Sequence, residues 1–399
     1  MADNDFTTSG TKRDPKTVRK HAIESVRMSF NDDIIKKPVF EEDKNKGFVK
    51  YGEKNLFPEF LLGLYMCCGK HAAIINRKIK MIAGKGFDIE NEMTKNELGL
   101  YSGKKTAKLL ASDLEIMKGF AYLVRWDAKK TKPLAYDYVP FKSVRIGIEE
   151  GTFYISDDWS SRKAKDKPVM YYEYEGKAGL DKIDKNLKKE DQEELLRLQT
   201  VELVYFVDVS AGTDTYPIPN YYPSVEWILT DSETSKYSLN LVLNDFLGGF
   251  HIGFKNGIPE ENEREQEKKS FEKEYTGSNG KRIIITFSEP GSEGVDLNPL
   301  PSAGNEDILA QTEERAQNNI FIAHEVVSPM LFGIRVEGQL GGRNEMVEAL
   351  EIFQAVYIDD QQELINESLN KLFKDMGSTE EVRLKKYTID GANSSIINS

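Results

Sequence analysis

The spacing of apolar residues changes several times along the chain, and each change marks an element. In LFPEFLLGLYMCCGKHAAIINRKIKMIAGKGF the spacing is helical, with Pro58 suited to a first turn and Gly84 or Gly86 to a stop. KKTAKLLASDLEIMKG repeats the helical pattern. FAYLVRWDA, LAYDYVPF, SVRIGIE, TFYISDD, PVMYYEYE and VELVYFVDV then alternate in part and are rich in Tyr, Val and Phe, which predicts strands. The first half is therefore expected to be α+β. The Lys/Glu-rich piece from Lys177 to Arg197 interrupts the strands as a solvated insertion.

The second half reads as helices around a small module. TDSETSKYSLNLVLNDFLGGF predicts a helix of about five turns, with Thr230 or Asp231 as its cap and Gly248 and Gly249 as its end. Residues 251–305 follow as a charged helix, EENEREQEKKSFEKEY, a strand, KRIIITF, and a turn-rich run. A second helix, EDILAQTEERAQNNIFIAHEV, leads into a proline-broken apolar stretch and the glycines Gly338, Gly341 and Gly342. Beyond them Met346, Leu350, Phe353, Tyr357, Leu364, Ile365, Leu369 and Leu372 mark one face of a long amphipathic helix that stops at Gly377. EVRLKKYTI predicts a closing strand. Residues 1–45 are polar and weakly periodic, as in a flexible arm.

Charge changes the picture more than composition does. The formal net charge is -12, which argues against a protein that grips nucleic acid by bulk positive charge. Cys67 and Cys68 are adjacent inside FLLGLYMCC, so they cannot form a disulfide framework and read as core residues. The longest apolar run, around residues 60–68, is far shorter than the roughly 20 residues of a membrane span. With a polar N-terminus lacking a signal-peptide core, the expectation is a soluble, intracellular chain with no membrane partner.

Candidate chemistry is sparse. GLYMCCGKH imitates a phosphate loop, but with five residues between its glycines and His71 where Ser or Thr must hold magnesium. His21, His71, His251 and His324 lie far apart and carry no zinc spacing. Carboxylates between Glu260 and Glu274 alternate with Lys and Arg, as on a solvated helix. Asp359 and Asp360 are neighbours on one helix and so diverge. Neither a catalytic centre nor a cofactor site is expected, and the chain reads as a non-enzyme. The glycine cluster fails as a nucleotide cradle because it follows a helix and a turn instead of a strand. What remains there is a glycine loop carrying Arg335 and Arg343 between two helices.

At IAHEVVSPMLFGIRVEGQLGGRNEMVEALEIFQAVYIDDQQELINESLNKLF the chain resembles the portal proteins of tailed bacteriophages. The matching positions are Ile322 and Ala323, then Val327, Pro329, Leu331 and Gly333, and finally Asn344 and Phe353. LFPEFLLGLY, IKMIAGKGF, DLEIMKGFAYLVRW and YVPFKSVRIG are also similar to the family, and the resemblance spans roughly residues 50–375. Family members often carry a C-terminal crown, whereas only a short segment follows the long helix here, so a reduced or absent crown is implied.

The resemblance implies a portal-like α+β subunit with an α/β wing, a two-helix stem, a small α/β clip and a long wing helix. Its parts would be an arm at 1–45, wing at 46–230, first stem helix at 231–249, clip at 250–305, second stem helix at 306–326, tunnel loop at 327–343, long wing helix at 344–377, and a strand and tail at 378–399. The implied function is a homo-oligomeric ring of about twelve subunits at one capsid vertex, passing double-stranded DNA during packaging and ejection. Such a ring is assembled in the bacterial cytoplasm and ends in the virion. Terminase, a head-to-tail adaptor and the major capsid protein are the implied partners. Arg335, Gln339 and Arg343 would reach the DNA backbone from a loop freed by Gly338, Gly341 and Gly342, and clip loops around Pro290 and Pro301 would meet the partners. The alternatives are another tail or baseplate component and, less favoured, a metal-dependent nucleic-acid enzyme.

Overall fold

The computed structural model of the chain describes residues 38–160, 167–176, 200–208, 215–243, 249–254, 283–287, 295–300, 306–333 and 343–388. The chain divides into two compact units, residues 1–223 with 323–399, and residues 224–322.

The larger unit starts earlier than the arm predicted for residues 1–45. β1 (Glu42–Asp43) already pairs antiparallel with β2 (Phe48–Val49) around Gly47, whose φ of +79 suits the tight turn. The long helical pattern that follows is two helices, α1 (Phe57–Cys67) and α2 (Gly69–Ala83), separated by an extended Cys68. Pro58 lies in the first turn of α1, and Gly84 ends α2. α1 buries Phe57, Phe60, Leu61 and Leu64, while α2 buries a stripe that runs through Ile74, Ile75, Lys78, Ile79 and Ile82. The break lets two differently phased faces turn into one core. At Gly84 a Cβ would fall 1.8 Å from the Lys385 carbonyl oxygen, and φ is +51, so only glycine fits.

After the one-turn helix α3 (Glu92–Lys95), with its Asn91–Thr94 capping box, α4 (Gly103–Met117) lies against the sheet. β3 (Gly119–Trp126), β4 (Pro133–Val139), β5 (Val144–Ile146), β6 (Thr152–Ile155), β7 (Val169–Tyr172) and β8 (Val201–Val207) fall where the alternating segments predict strands. They form two antiparallel three-stranded sheets, ordered β4-β3-β8 and β5-β6-β7, joined by a bridge between Glu173 and Leu203. β3 is the central strand of the first sheet, and α4 covers it, so its residues are nearly all buried.

In the smaller unit α5 (Val225–Leu243) begins six residues before Asp231, so Thr230 and Asp231 lie inside the helix and do not cap it. A 3-10 turn at Tyr222–Ser224 with Pro223 feeds straight into the helix, and this turn sets the start. Gly249, expected as a helix stop, opens β9 (Gly249–Phe254). β10 (Ile283–Phe287) pairs parallel and β11 (Val295–Leu300) antiparallel with β9. The predicted charged helix within 260–276 lies outside the described residues, whereas the strand in KRIIITF is β10. α6 (Glu306–Ala323) follows.

The predicted long helix over 344–377 is helical from residue 343 to 375 but contains a wide turn. α7 (Arg343–Phe353) passes through a π-helical turn at Gln354–Ile358 into α8 (Asp359–Asp375). The closing strand expected at 378–399 does not form among the described residues. Instead, side chains from α8 claim the backbone: Asn370 donates to the Val382 carbonyl (2.8 Å) and accepts from Val382 N–H (2.8 Å), while Asn366 accepts from Leu384 N–H (3.0 Å). A single bridge to Phe87 remains of the ladder.

Candidate nucleic-acid interface

Of the residues proposed to face DNA, Arg335, Gly338, Gln339, Gly341 and Gly342 lie outside the described residues, as do Pro290 and Pro301. Arg343 is the first residue of α7. What the structure places are the two ends of the glycine loop. On the entry side Glu325 sits at φ +54, and Pro329–Phe332 forms a 3-10 turn with proline in its first position. Leu331 and Phe332 are buried. Gly333 ends the turn at φ +82, with no atom within 4 Å of where a Cβ would be, so its backbone conformation, and not crowding, calls for glycine. On the exit side Phe353 is fully buried, and its ring meets Phe332 edge-on with centroids 5.7 Å apart. The two aromatic rings pin both flanks of the 334–342 segment to the larger unit.

Behind that pin lies a buried polar cluster. His71 Nδ1 and His324 Nε2 are 2.8 Å apart in a buried hydrogen bond, joining α2 to the turn after α6. Burial, and next to it the Lys78 ammonium, hold His71 down to about 3 from an ordinary 6.5; the same causes, with His71 itself, keep His324 well below. Both rings are therefore neutral at physiological pH, and Tyr221 packs against both. Lys78 Nζ lies 3.8 Å from a Glu115 carboxylate oxygen and 3.6 Å over the ring of Tyr357. Tyr357 Oη donates to both Glu115 oxygens, at 3.0 and 3.1 Å. Burial pushes Glu115 up and Lys78 down, and each partner's charge opposes the other's shift.

Tyr357 belongs to the π-turn, where Phe353 and Tyr357 stack nearly parallel at 5.4 Å. The extra residue in that turn aims the Tyr357 hydroxyl at Glu115 while Phe353 still faces Phe332. A cleft of about 30 Å³, enough for one water, opens among Lys78, Lys118, Tyr221, His324 and Tyr357. A nucleotide does not fit there. Among the described residues no group of three or more His, Cys, Asp or Glu is placed to hold a metal ion.

The sequence reading treated His71 and His324 as isolated, and the structure brings them together across 253 positions. It missed the Lys78–Glu115–Tyr357 cluster. One signal was available: Lys78 occupies the buried stripe of α2 between Ile75 and Ile79, where a lysine needs a buried partner.

No protein-family model matches the sequence, and no curated protein sequence matches it. Solved structures do resemble it. The chain aligns with a chain from the virion of a native gene transfer agent particle at TM-score 0.52 and 12% identity, covering 94% of this chain and 90% of that one. It aligns with a chain from the neck of an empty gene transfer agent particle, computed with C6 symmetry, at TM-score 0.50 and 11% identity, covering 82% and 83%. An HK97-family phage portal protein from Corynebacterium diphtheriae is similar at TM-score 0.47 and 12% identity, covering 81% and 94%. The fold, mixed helices with small sheets, is thus shared over most of the chain with chains from the virion and the neck of gene transfer agent particles. Among the described residues no helix is long and apolar enough to cross a membrane.

Proposed function

We propose that the chain is a portal subunit: about twelve copies form a ring at one capsid vertex, and double-stranded DNA passes through its channel during packaging and ejection. One observation carries the reading. The fold matches a virion chain over 94% of this sequence, and in it two helices bracket a small three-stranded sheet and lead into a glycine loop pinned at both ends.

In this reading residues 46–230 with 344–377 form the wing, 231–249 and 306–326 the stem helices, 250–305 the clip and 327–343 the tunnel loop. Arg335, Gln339 and Arg343 meet the DNA backbone, and the glycines let the loop follow its groove. The acidic balance of the chain suits a conduit, since a lysine-lined wall would release many counterions on binding DNA and hold it fast. The portal performs no chemistry; terminase supplies the hydrolysis while docked on clip loops around Pro290 and Pro301, the head-to-tail adaptor takes the same surface later, and the major capsid protein surrounds the wing.

Native mass spectrometry with negative-stain imaging tests the reading. The expected result is a closed ring of about twelve subunits with a hole wide enough for a duplex; a compact dimer with a closed cleft overturns it. Deleting 336–342 should leave the ring intact and impair DNA packaging or retention, and loss of the ring in that variant refutes the tunnel-loop assignment. The second reading, another neck component, draws on the neck chain in the comparison. Replacing 260–300 by a short linker separates the two, because unchanged terminase binding argues for it.

A further inference from the structure

We propose that α7 docks on the start of α4 in a second copy of this chain, so that the two faces meet head to tail at each subunit boundary. The inference rests on the ring reading and names a contact within it. α7 and the π-turn present Glu345, Glu348 and Glu351 together with Ile352, 52% exposed, and Val356, 62% exposed. The start of α4 presents Lys104, Lys105 and Lys108, and the loop before it presents Leu98, 65% exposed, and Leu100, 74% exposed. Neither the three glutamates nor the three lysines have an ion-pair partner among the described residues; Lys105 lies over the Tyr101 ring instead, at 3.9 Å. Glu92 and Glu97 are also exposed near the lysines, and Lys95 with them, so the basic character belongs to α4 itself.

Two further facts favour a second copy as the occupant. First, Lys104 and Lys105 stand in the first turn of a helix with no acidic residue there, beside the positive end of its dipole. That arrangement is unfavourable in an isolated subunit and is relieved by carboxylates from outside. Second, the two faces are separate places on the larger unit: the π-turn meets α4 at Glu115, about 10 Å along the helix from Lys108 and about 17 Å from Lys104. The Lys104 side chain runs along Gly86, next to Phe87, whose ring is 6.2 Å from Phe373 near the end of α8. From Phe373 back to Ile352 the chain is helical throughout, about 30 Å at 1.5 Å per residue. Complementary patches at separate places on one subunit are what a head-to-tail interface needs, and such an interface closes into a ring when its rotation closes. Exposed aliphatic side chains at both patches add apolar burial to the charge pairing.

The test is native mass spectrometry of the full chain and three charge variants at matched concentration and moderate salt. The variants are Lys104→Glu/Lys105→Glu/Lys108→Glu, Glu345→Lys/Glu348→Lys/Glu351→Lys, and the six-fold swap. Circular dichroism checks that each variant folds. Each triple is expected to cut the ring fraction by about tenfold or more, and the swap to restore it. Ile352→Ser, which keeps every charge, is expected to lower the ring fraction by a smaller factor. Rings in both triples at the wild-type level overturn the docking while leaving the ring reading standing. Loss in one triple without rescue by the swap overturns the pairing of these two faces. A wild-type chain that forms no ring, alone or with its capsid partner, overturns the ring reading and the docking with it.

Discussion

Two of the buried charge sets in the larger unit are built in opposite ways. Arg145 is fully buried, and four of its five N–H groups are satisfied: its Nε donates to Asn55 Oδ1 (2.5 Å), one terminal nitrogen donates to the Lys142 and Val144 carbonyls (both 2.8 Å), and the other donates to the Asn55 carbonyl (2.8 Å). Trp159 covers the guanidinium at 4.6 Å, and Glu59 stands 4.0 Å away as the counter-charge, its Oε2 the one atom of this set buried without a hydrogen bond. The cluster around Lys78 is less complete. His71 Nε2 and Gln354 Oε1 are buried without a hydrogen-bond partner, and the Lys78–Glu115 pair is a long 3.8 Å. A buried charge with most of its donors bonded fixes one arrangement, whereas a sparsely bonded one leaves room for a second. The incomplete cluster sits where α6 ends and the π-turn begins, next to the loop flanks, while the fuller one locks the β1–β2 end of the core. The contrast teaches where this chain is rigid and where it can yield.

The contrast breaks hardest at Arg145. Arg145→Met should cost about 3–5 kcal/mol, because it strands Glu59 and four acceptor contacts in the core. Arg145→Lys should recover only part of that, since an ammonium cannot reproduce the fork. Denaturant unfolding followed by tryptophan fluorescence measures both; a loss under about 1 kcal/mol for Met would remove the distinction. Next comes Glu115→Gln, expected to cost about 2–4 kcal/mol near neutral pH by leaving Lys78 buried beside an uncharged amide. Faster amide hydrogen exchange confined to α2, α4 and the π-turn would place that loss in the cluster, and uniform exchange would not.

Acid sharpens the comparison. His71 and His324 have folded values pushed below the ordinary 6.5, so the unfolded chain takes up protons first and stability falls as pH drops from about 6.5 toward 3. Asp113 works the other way. Burial raises it to about 7 although Phe141 N–H and Tyr138 Oη donate to it, so its contribution is full below 3.8 and is lost as pH rises through 7. Between pH 6.5 and 5 the two trends oppose each other. Asp113→Asn should therefore steepen the acid loss over that window and His324→Asn should flatten it, each by about 1 kcal/mol per pH unit, read from urea midpoints. Parallel pH profiles in both variants would show that other groups set the acid response. The smallest effect is expected at the loop edge: Gly333→Ala should cost about 1 kcal/mol from its positive φ alone, there being space for the methyl group.

Much of the fold was legible because its signals are local. The alternation in FAYLVRWDA and VELVYFVDV, the helical spacing around Leu110 and Leu114, and Pro58 at a first turn each depend on residues within a few positions. The portal resemblance likewise rests on an ordered series of local patterns. What the sequence hid is non-local or off-period. His71 meets His324 and Tyr357 meets Glu115 across more than 240 positions, beyond what any spacing rule can relate. The π-turn is invisible to a period of 3.6, and the expected last strand lost its backbone groups to Asn366 and Asn370, whose helical positions give no sign of that use. Arg335 and Arg343 stand on the glycine loop in the sequence, and their reach to DNA, which the resemblance implies, is a proposal.

The π-turn carries one consequence that reaches into the history of the chain. A five-residue turn of this kind is what an α-helix becomes when it accepts one inserted residue without moving the packing on either side. Its reversal is therefore a single deletion: removing Val356, which is 62% exposed, lets the helix run unbroken from 343 to 375. The helices on either side then keep their places, and Phe353 stays on Phe332. What the deletion removes is the bulge itself, and with it the aim of the Tyr357 hydroxyl at Glu115. One codon thus separates a chain with the buried Lys78–Glu115–Tyr357 cluster from one without it, and a lineage of such chains could gain or lose that cluster without redesigning a core.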